Sequence, residues 1–322
     1  VRIGQAPWGT RPFTGLIDDV RIYDKVLTPD EIMLVMRVDP LVAWDPSPAN
    51  GSTPDVDSVT PLSWSAGDSA AGHEVYFGAD ADAVAAADSS DTTGIYRGRQ
   101  NATSFTPAES LEWGTGPFYW RVDENNTDGT VTKGGLWSFT VADFILVDDF
   151  ESYTDNDAEN EAIWQSWIDG FGVPANGSQA GYELPPYAEK TVIHAGSQSM
   201  PLAYNNTAGI NYSEAVLTLT APRDWTAHGV TTLSLWFKGE PANGAEPIYV
   251  ALNGTAVKYY DDPAAAQTNI WTQWVIPLQE FADLGVALGN VNTITIGLGD
   301  KSVASTGGSG VIYIDDIRLD RP

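Results

Sequence analysis

The 322-residue sequence contains no cysteine, which removes a disulfide framework, a thiolate-bound zinc and a thiol nucleophile together. Positive charge is also scarce: 16 Lys and Arg stand against 43 Asp and Glu, a formal net charge of −27. Such a balance disfavours phosphate backbones and anionic lipid, so neither nucleic acid nor membrane is expected as a partner. A salt-adapted, solvated surface is the plain reading of the excess acid, and divalent cations or neutral partners also suit it. No apolar run reaches the roughly 18 residues of a membrane span. No signal-peptide pattern opens the sequence, so export is expected to be directed by a segment outside it.

Catalytic patterns are missing as well. The three histidines, His73, His194 and His228, form no His-Glu-X-X-His pair, and no Gly-X-Ser-X-Gly elbow occurs. Gly307-Gly-Ser-Gly310 lacks the Lys of a phosphate loop and reads as a hairpin turn. The acidic run beginning at Asp155 is not an EF-hand, because Asn160 stands where Gly is needed and Ser166 where Glu is needed. Carboxylate pairs are common enough that composition alone does not remove a glycosidase. Their strand contexts point to metal staples instead, and no enzyme is expected.

What the sequence has is aromatic and turn-rich: 12 Trp, 13 Tyr, 31 Gly and 20 Pro. That is the profile of an all-β protein with short strands and many turns. Seven of its asparagines begin Asn-X-Ser/Thr sequons: Asn50, Asn101, Asn125, Asn176, Asn205, Asn211 and Asn253. Each is a candidate glycosylation acceptor, although Asn-Gly-Ser is also ordinary turn chemistry.

Three regions follow one another. Residues 1–38 hold strand-like runs, including Gly15-Leu-Ile-Asp-Asp-Val-Arg-Ile-Tyr23, and a helix start at Thr28-Pro-Asp-Glu31 with Thr28 as N-cap and Pro29 at N1. So few elements cannot bury a core, so these strands need a sheet supplied elsewhere. A Pro-rich joint, Trp44-Asp-Pro-Ser-Pro-Ala-Asn-Gly51, opens residues 39–142, a series of short strands such as His73-Glu-Val-Tyr-Phe77 and Phe118-Tyr-Trp-Arg-Val122. Residues 143–322 alternate with period two. Leu233, Leu235 and Phe237 share one face, as do Ile248, Val250 and Leu252, which predicts a two-sheet jelly roll of eight to ten strands.

The chemistry-bearing residues are acids and outward aromatics. Asp148-Asp-Phe-Glu151 and Ile314-Asp-Asp-Ile317 place paired carboxylates within apolar strands, where each must lose water. A bound cation would relieve their repulsion. Asp149, Glu151, Asp315 and Asp316 are therefore the expected ligands of a structural Ca²⁺, helped by carbonyls near Ser197 to Ser199. Pyranose rings stack on exposed aromatics through their C–H faces. Alternation turns Trp236, Tyr249 and Tyr260 outward, with Lys258 and Asn253 placed to bond hydroxyls and Tyr204 and Tyr212 to rim a groove. Trp164, Trp167, Trp271 and Trp274 are expected in the core or beneath loops.

Phe13, Gly15, Ile17-Asp-Asp-Val-Arg-Ile-Tyr23, Leu27 and Glu31-Ile32 resemble the C-terminal end of a laminin-G-like, concanavalin-type jelly roll. Residues 39–142 resemble a fibronectin type III sandwich, with Trp64 as its buried strand-B aromatic, Phe118, Trp120 and Val122 facing the core, and Asn126 and Gly129 in the next turn. Residues 143–322 resemble carbohydrate-binding jelly-roll modules of large bacterial surface and secreted proteins. The carrying residues are Asp148-Asp-Phe-Glu151, Trp164-Gln-Ser-Trp-Ile-Asp-Gly170, Gly196-Ser-Gln-Ser-Met-Pro-Leu202, Tyr204-Asn-Asn-Thr207 and Ile314-Asp-Asp-Ile317. In such modules a structural calcium often joins the first strand to the last. The resemblance implies an extracellular, noncatalytic protein that binds polysaccharide or glycoconjugate. The orphan strands of residues 1–38 support a second expectation: a subunit of a filament or surface layer that docks onto other copies of itself.

Overall fold

The computed structural model describes residue 20 and residues 22–207, 209–221, 223–302 and 307–322. The strand expected over 15–23 lies almost wholly outside these, and Val20, Ile22 and Tyr23 are in no strand. The expected helix is α1 (Pro29–Met36), whose first bond runs from the Ile32 N–H to the Thr28 carbonyl at 2.9 Å. Apolar side chains around it stay uncovered: Ile22, Met36 and Val38 are exposed, and Val26 is 94% exposed.

The chain is all-β, and its strands build two sandwiches. The first uses β1 (Trp44–Ser47), β2 (Leu62–Ser65), β3 (Ala70–Gly78), α2 (Ala81–Ala86), β4 (Tyr96–Gln100), β5 (Ser104–Phe105), β6 (Phe118–Asn126), β7 (Val131–Thr132) and β8 (Trp137–Phe139). A sheet ordered β1-β2-β5 faces one ordered β4-β3-β6-β7, with β8 also on β6. Period-two residues fill the space between them, including Leu62, Trp64, Val75, Phe77, Trp120, Val122 and Phe139. Trp120 is the hub, with ring centroids 6.2 Å from Trp64 and 4.6 Å from Trp137. A buried charge on the outer side is fully matched. The Arg121 guanidinium grips Asp123 through two bonds and donates to the carbonyls of Val84, Ala85 and Ala87, which closes the end of α2.

The second sandwich is an antiparallel jelly roll. It comprises β9 (Phe144–Asp148), α3 (Ile163–Ser166), β10 (Trp167–Ile168), β11 (Gln179–Ala180), β12 (Met200–Asn205), β13 (Tyr212–Thr218), β14 (Thr232–Lys238), β15 (Ile248–Leu252), β16 (Ala256–Tyr259), β17 (Thr272–Pro277), α4 (Leu278–Asp283), β18 (Thr293–Gly299) and β19 (Ser309–Asp320). Five strands run in the order β10-β13-β18-β15-β16, and six in the order β11-β12-β19-β14-β17 with β9 on β19. Leu233, Leu235 and Phe237 meet Ile248, Val250 and Leu252 in the core, as their alternation predicts. Each such fully buried side chain contributes about 1.5–3 kcal/mol. In β19 the inward set changes parity, from Ile312 and Ile314 to Ile317 and Leu319. A bulge lies between: Trp236 pairs with Asp315 and Ser234 with Arg318, while Asp316 adopts φ 50°.

The two sandwiches touch through side chains. Trp113 packs against the jelly-roll core, Arg321 lies 4.2 Å over its ring, and His228 reaches Asp57 at 2.9 Å. Among the described residues no helix is long and apolar enough to cross a membrane.

Candidate functional site

The outer face of the five-stranded sheet holds the most developed site. Register places Glu214, Gly297, Tyr249 and Tyr259 in one row across β13, β18, β15 and β16. Gly297 has no Cβ, and one added there would overlap the Tyr249 ring. The Tyr249 ring therefore lies across β18, and its hydroxyl donates to Glu214 Oε2 at 2.6 Å. Tyr249 is only 2% exposed. Burial, reinforced by Glu214, pushes its phenol far above the usual range, so it stays a donor. Tyr259 packs beside it with centroids 5.6 Å apart and remains 41% exposed.

These rings, with Val216, Ala251, Val257 and Thr295 of the next row, line a cavity of about 140 Å³. Among the described residues Glu214 is the lone carboxylate in its lining. Lys301 Nζ donates to Glu214 Oε1 at 2.5 Å and lies 4.8 Å from the Tyr212 centroid, so the acid is neutralised in place. The Glu214 backbone is clamped too. Asn176 Oδ1 accepts its N–H and Asn176 Nδ2 donates to its carbonyl, both at 2.9 Å. The Ser178 hydroxyl donates to the same carbonyl at 2.6 Å. The result is an apolar aromatic floor, fixed before any ligand arrives, flanked by the side chains of Thr293, Thr295 and Lys301.

The expected sugar-binding residues do not share one surface. Tyr249 lies in the cavity as its outward facing predicts, and Tyr212 lies at its end beneath Lys301. Trp236 is outward on the other sheet, where His194 covers one of its faces at 3.9 Å and 17°, and Trp271 meets the His194 ring in a T-shaped contact at 5.8 Å. Tyr260 turns inward, edge-on to Phe237 at 5.0 Å and Trp274 at 5.3 Å, which corrects its expected facing. Lys258 pairs with inward Val250 in register and forms an ion pair with Glu280 of α4. Asn253 takes φ 52° in the turn before β16, and its Oδ1 accepts the Asn292 N–H at 2.7 Å. Tyr204 belongs to the core, with its hydroxyl 2.5 Å from the Gly244 carbonyl it donates to. Trp167 and Trp274 are buried as expected, whereas Trp164 is partly exposed.

Sequence reasoning overlooked Tyr259, Glu214, Gly297 and Lys301. One signal was available: a lone Gly inside Thr293-Ile-Thr-Ile-Gly-Leu298 marks a close approach over a strand. Among the sequons, Asn50, Asn101 and Asn205 are exposed, and Asn211 and Asn253 are half-buried. Asn125 is 8% exposed within β6, which is incompatible with a glycan on the folded chain. The Asn176 amide is spent on Glu214, a structural use of its Asn-Gly-Ser turn.

The expected calcium ligands gather where the 189–199 segment crosses β19. Glu151 accepts the Ser197 and Gln198 N–H groups at 2.9 and 3.1 Å and the Ser197 hydroxyl at 2.5 Å. Asp315 accepts the N–H groups of His194, Ala195 and Asp316 at 2.8, 3.3 and 2.9 Å. Asp316 holds His194 Nδ1 at 2.6 Å and is paired with Arg318. Burial, with Glu151 and Asp316 close by, pushes the Asp149 carboxyl up. Asp148 is consumed by Phe150, Tyr153 and Trp167 at 2.8, 2.6 and 2.8 Å. Among the described residues no three His, Asp or Glu side chains converge to hold a metal ion. Glu151, Asp315 and Asp316 each accept from protein donors, Asp149 Oδ1 accepts the Glu151 N–H at 3.2 Å, and carboxylate oxygens so bonded still keep lone pairs for a cation.

Comparison with known proteins adds the following. The concanavalin A-like lectin/glucanases superfamily matches residues 1–33, the segment that resembles a laminin-G-like end. No curated protein matches the chain. Among solved structures, it is similar to the family 11 carbohydrate-binding module of a cellulosomal cellulase of Clostridium thermocellum, at 18% identity over 56% of this chain and 95% of that one, with a TM-score of 0.34. It is also similar to a family 30 carbohydrate-binding module of another cellulosomal cellulase of that organism, at 17% identity over 46% and 91% of the two chains, with a TM-score of 0.31. A third is SGBP-B from a complex xyloglucan utilization locus in Bacteroides uniformis, at 12% identity over 81% and 68%, with a TM-score of 0.33.

Two predictions come from the carboxylates. Burial and the neighbouring Asp316 push Asp315 up to about 6 from the ordinary 3.8 of an aspartate. A raised carboxyl binds its proton more tightly when folded, so its contribution to stability is complete below pH about 4 and is lost as pH rises through about 6. The stability of the wild-type chain relative to Asp315→Asn should therefore be greater at pH 4 than at pH 7, measured by thermal melts. For the proposed Ca²⁺ among Asp149, Glu151, Asp315 and Asp316, chelation by EDTA is expected to lower the melting temperature, and an unchanged value would remove the ion.

Proposed function

We propose that this is an extracellular, noncatalytic protein whose jelly roll binds polysaccharide across the outer face of its five-stranded sheet. The observation that carries this reading is the immobilised Tyr249 ring, laid over Gly297 and tied to Glu214 beside the exposed Tyr259. An apolar aromatic floor with polar groups at its margin suits a pyranose, which has apolar C–H faces and a hydroxyl rim. Fixing the ring beforehand lowers the entropy lost on binding. Hydrolysis needs two carboxyl groups flanking a sugar bond, and among the described residues the cavity lining carries one, engaged at both oxygens. Tyr259→Ala is expected to weaken retention on soluble neutral polysaccharides by about tenfold in affinity electrophoresis. Unchanged retention would remove the reading.

A second reading is favoured by the uncovered apolar side chains at Ile22, Val26, Met36 and Val38. Apolar groups left in water around α1 suit association with another copy of the chain, as a subunit of an extracellular filament or surface layer. Sedimentation over a range of concentrations should show assemblies that disappear when residues 1–38 are deleted. A full-length chain that stays monomeric would exclude this role.

A further inference from the structure

We infer that Phe171 is a second stacking platform that extends the groove beyond Glu214 and makes its affinity depend on the length of an uncharged polysaccharide; this inference rests on the binding role proposed above. Phe171 is 95% exposed, an unfavourable position for a large apolar ring without a partner. It lies on the loop that leaves β10, the strand beside β13 at one end of the five-stranded sheet. Ile168 pairs with Val216, a cavity-lining residue, so the exposed Ile168 side chain continues the same outer face. The loop then returns to β13, where Asn176 bridges to Tyr212 and grips both backbone polar groups of Glu214.

The loop is held along its length. The Phe171 N–H donates to Asp169 Oδ1 at 2.8 Å, and the other oxygen of Asp169 accepts the Ala180 N–H at 2.8 Å. Val173 bonds back to the Gly170 carbonyl at 2.8 Å, and Asn176 to the Val173 carbonyl at 2.9 Å. The same Glu214 that fixes Tyr249 from above thus anchors the loop that carries Phe171. With Tyr259 on β16 at one end and Phe171 beyond β10 at the other, the face spans at least four strand spacings, about 19 Å. A ligand that touches both ends must be an extended chain longer than a disaccharide.

Charge narrows the class of ligand. Lys301, the lone cation in the lining among the described residues, is already paired with Glu214, and the chain carries a net charge of −27. Neither favours the carboxylates or sulfates of an acidic polysaccharide.

The test uses the full chain, calorimetric titration and two neutral probe series, cello-oligosaccharides and agaro-oligosaccharides of two to six sugars. Phe171→Ala is expected to leave the affinity for disaccharides unchanged and to weaken that for the longest oligomers by about tenfold, with Phe171→Trp restoring it. The melting temperature should not move, since the side chain is in solvent. Polygalacturonate should not bind. If wild type binds and Phe171→Ala changes no length, or all lengths equally, Phe171 is not a platform and the binding role still stands. If wild type binds polygalacturonate more tightly than the neutral series, the uncharged class is wrong. If wild type binds none of these probes, the binding role and this inference fall together.

Discussion

The site depends on one hydrogen bond made possible by one missing atom. Tyr249 reaches Glu214 because residue 297 between them has no Cβ. Any larger residue there would lift the ring off the sheet and open the bond. The acid end is fixed from two more directions, by Lys301 on its other oxygen and by Asn176 on its backbone. A carboxylate with every direction engaged does not swing, so the ring it holds does not swing either. Burying that much polarity is tolerable only because no member of the set lacks a partner.

The two sheets of the jelly roll share an alternating pattern but not a fate. On the six-stranded sheet, the 189–199 segment crosses the outer face and sets its backbone N–H groups on Asp315 and its His194 ring against Trp236. The stretch of that face around Asp315 and Trp236 is thus covered in part by the chain itself. On the five-stranded sheet, the row from Tyr259 to Glu214 faces outward, with Tyr259 in contact with solvent. Trp236 and Tyr249, which look equivalent along their strands, thus differ in setting: Trp236 is half-buried with His194 stacked on one of its faces, and Tyr249 is buried where it crosses Gly297.

Much of the fold could be read from the sequence. Alternation in β14 and β15 assigned the core residues correctly, because both strands are regular over the stretch that was read. It failed at Tyr260 for a definite reason. Alternation gives facing within a strand, while facing across a hairpin depends on the register set by the turn. The Asn253 turn sets Tyr249 opposite Tyr259, and two consecutive tyrosines offered an aromatic on either parity. Glu214 and Lys301 were invisible for another reason. Their chemistry comes from register between strands about 35 and 50 residues from Tyr249, which no local pattern encodes.

The Asp315-Asp316 doublet carries this argument furthest. Two adjacent acids in a regular strand must point to opposite faces, so one would enter the core. The bulge removes that conflict: Asp316 turns to φ 50°, the inward series resumes at Ile317, and both carboxylates meet donors outside the core. A doublet of this kind in an apolar strand therefore signals a change of parity as readily as a bound ion. The two are told apart by the apolar residues on either side. Ile312 and Ile314 keep one parity while Ile317 and Leu319 keep the other, and that shift was present in the sequence before any ligand had to be considered.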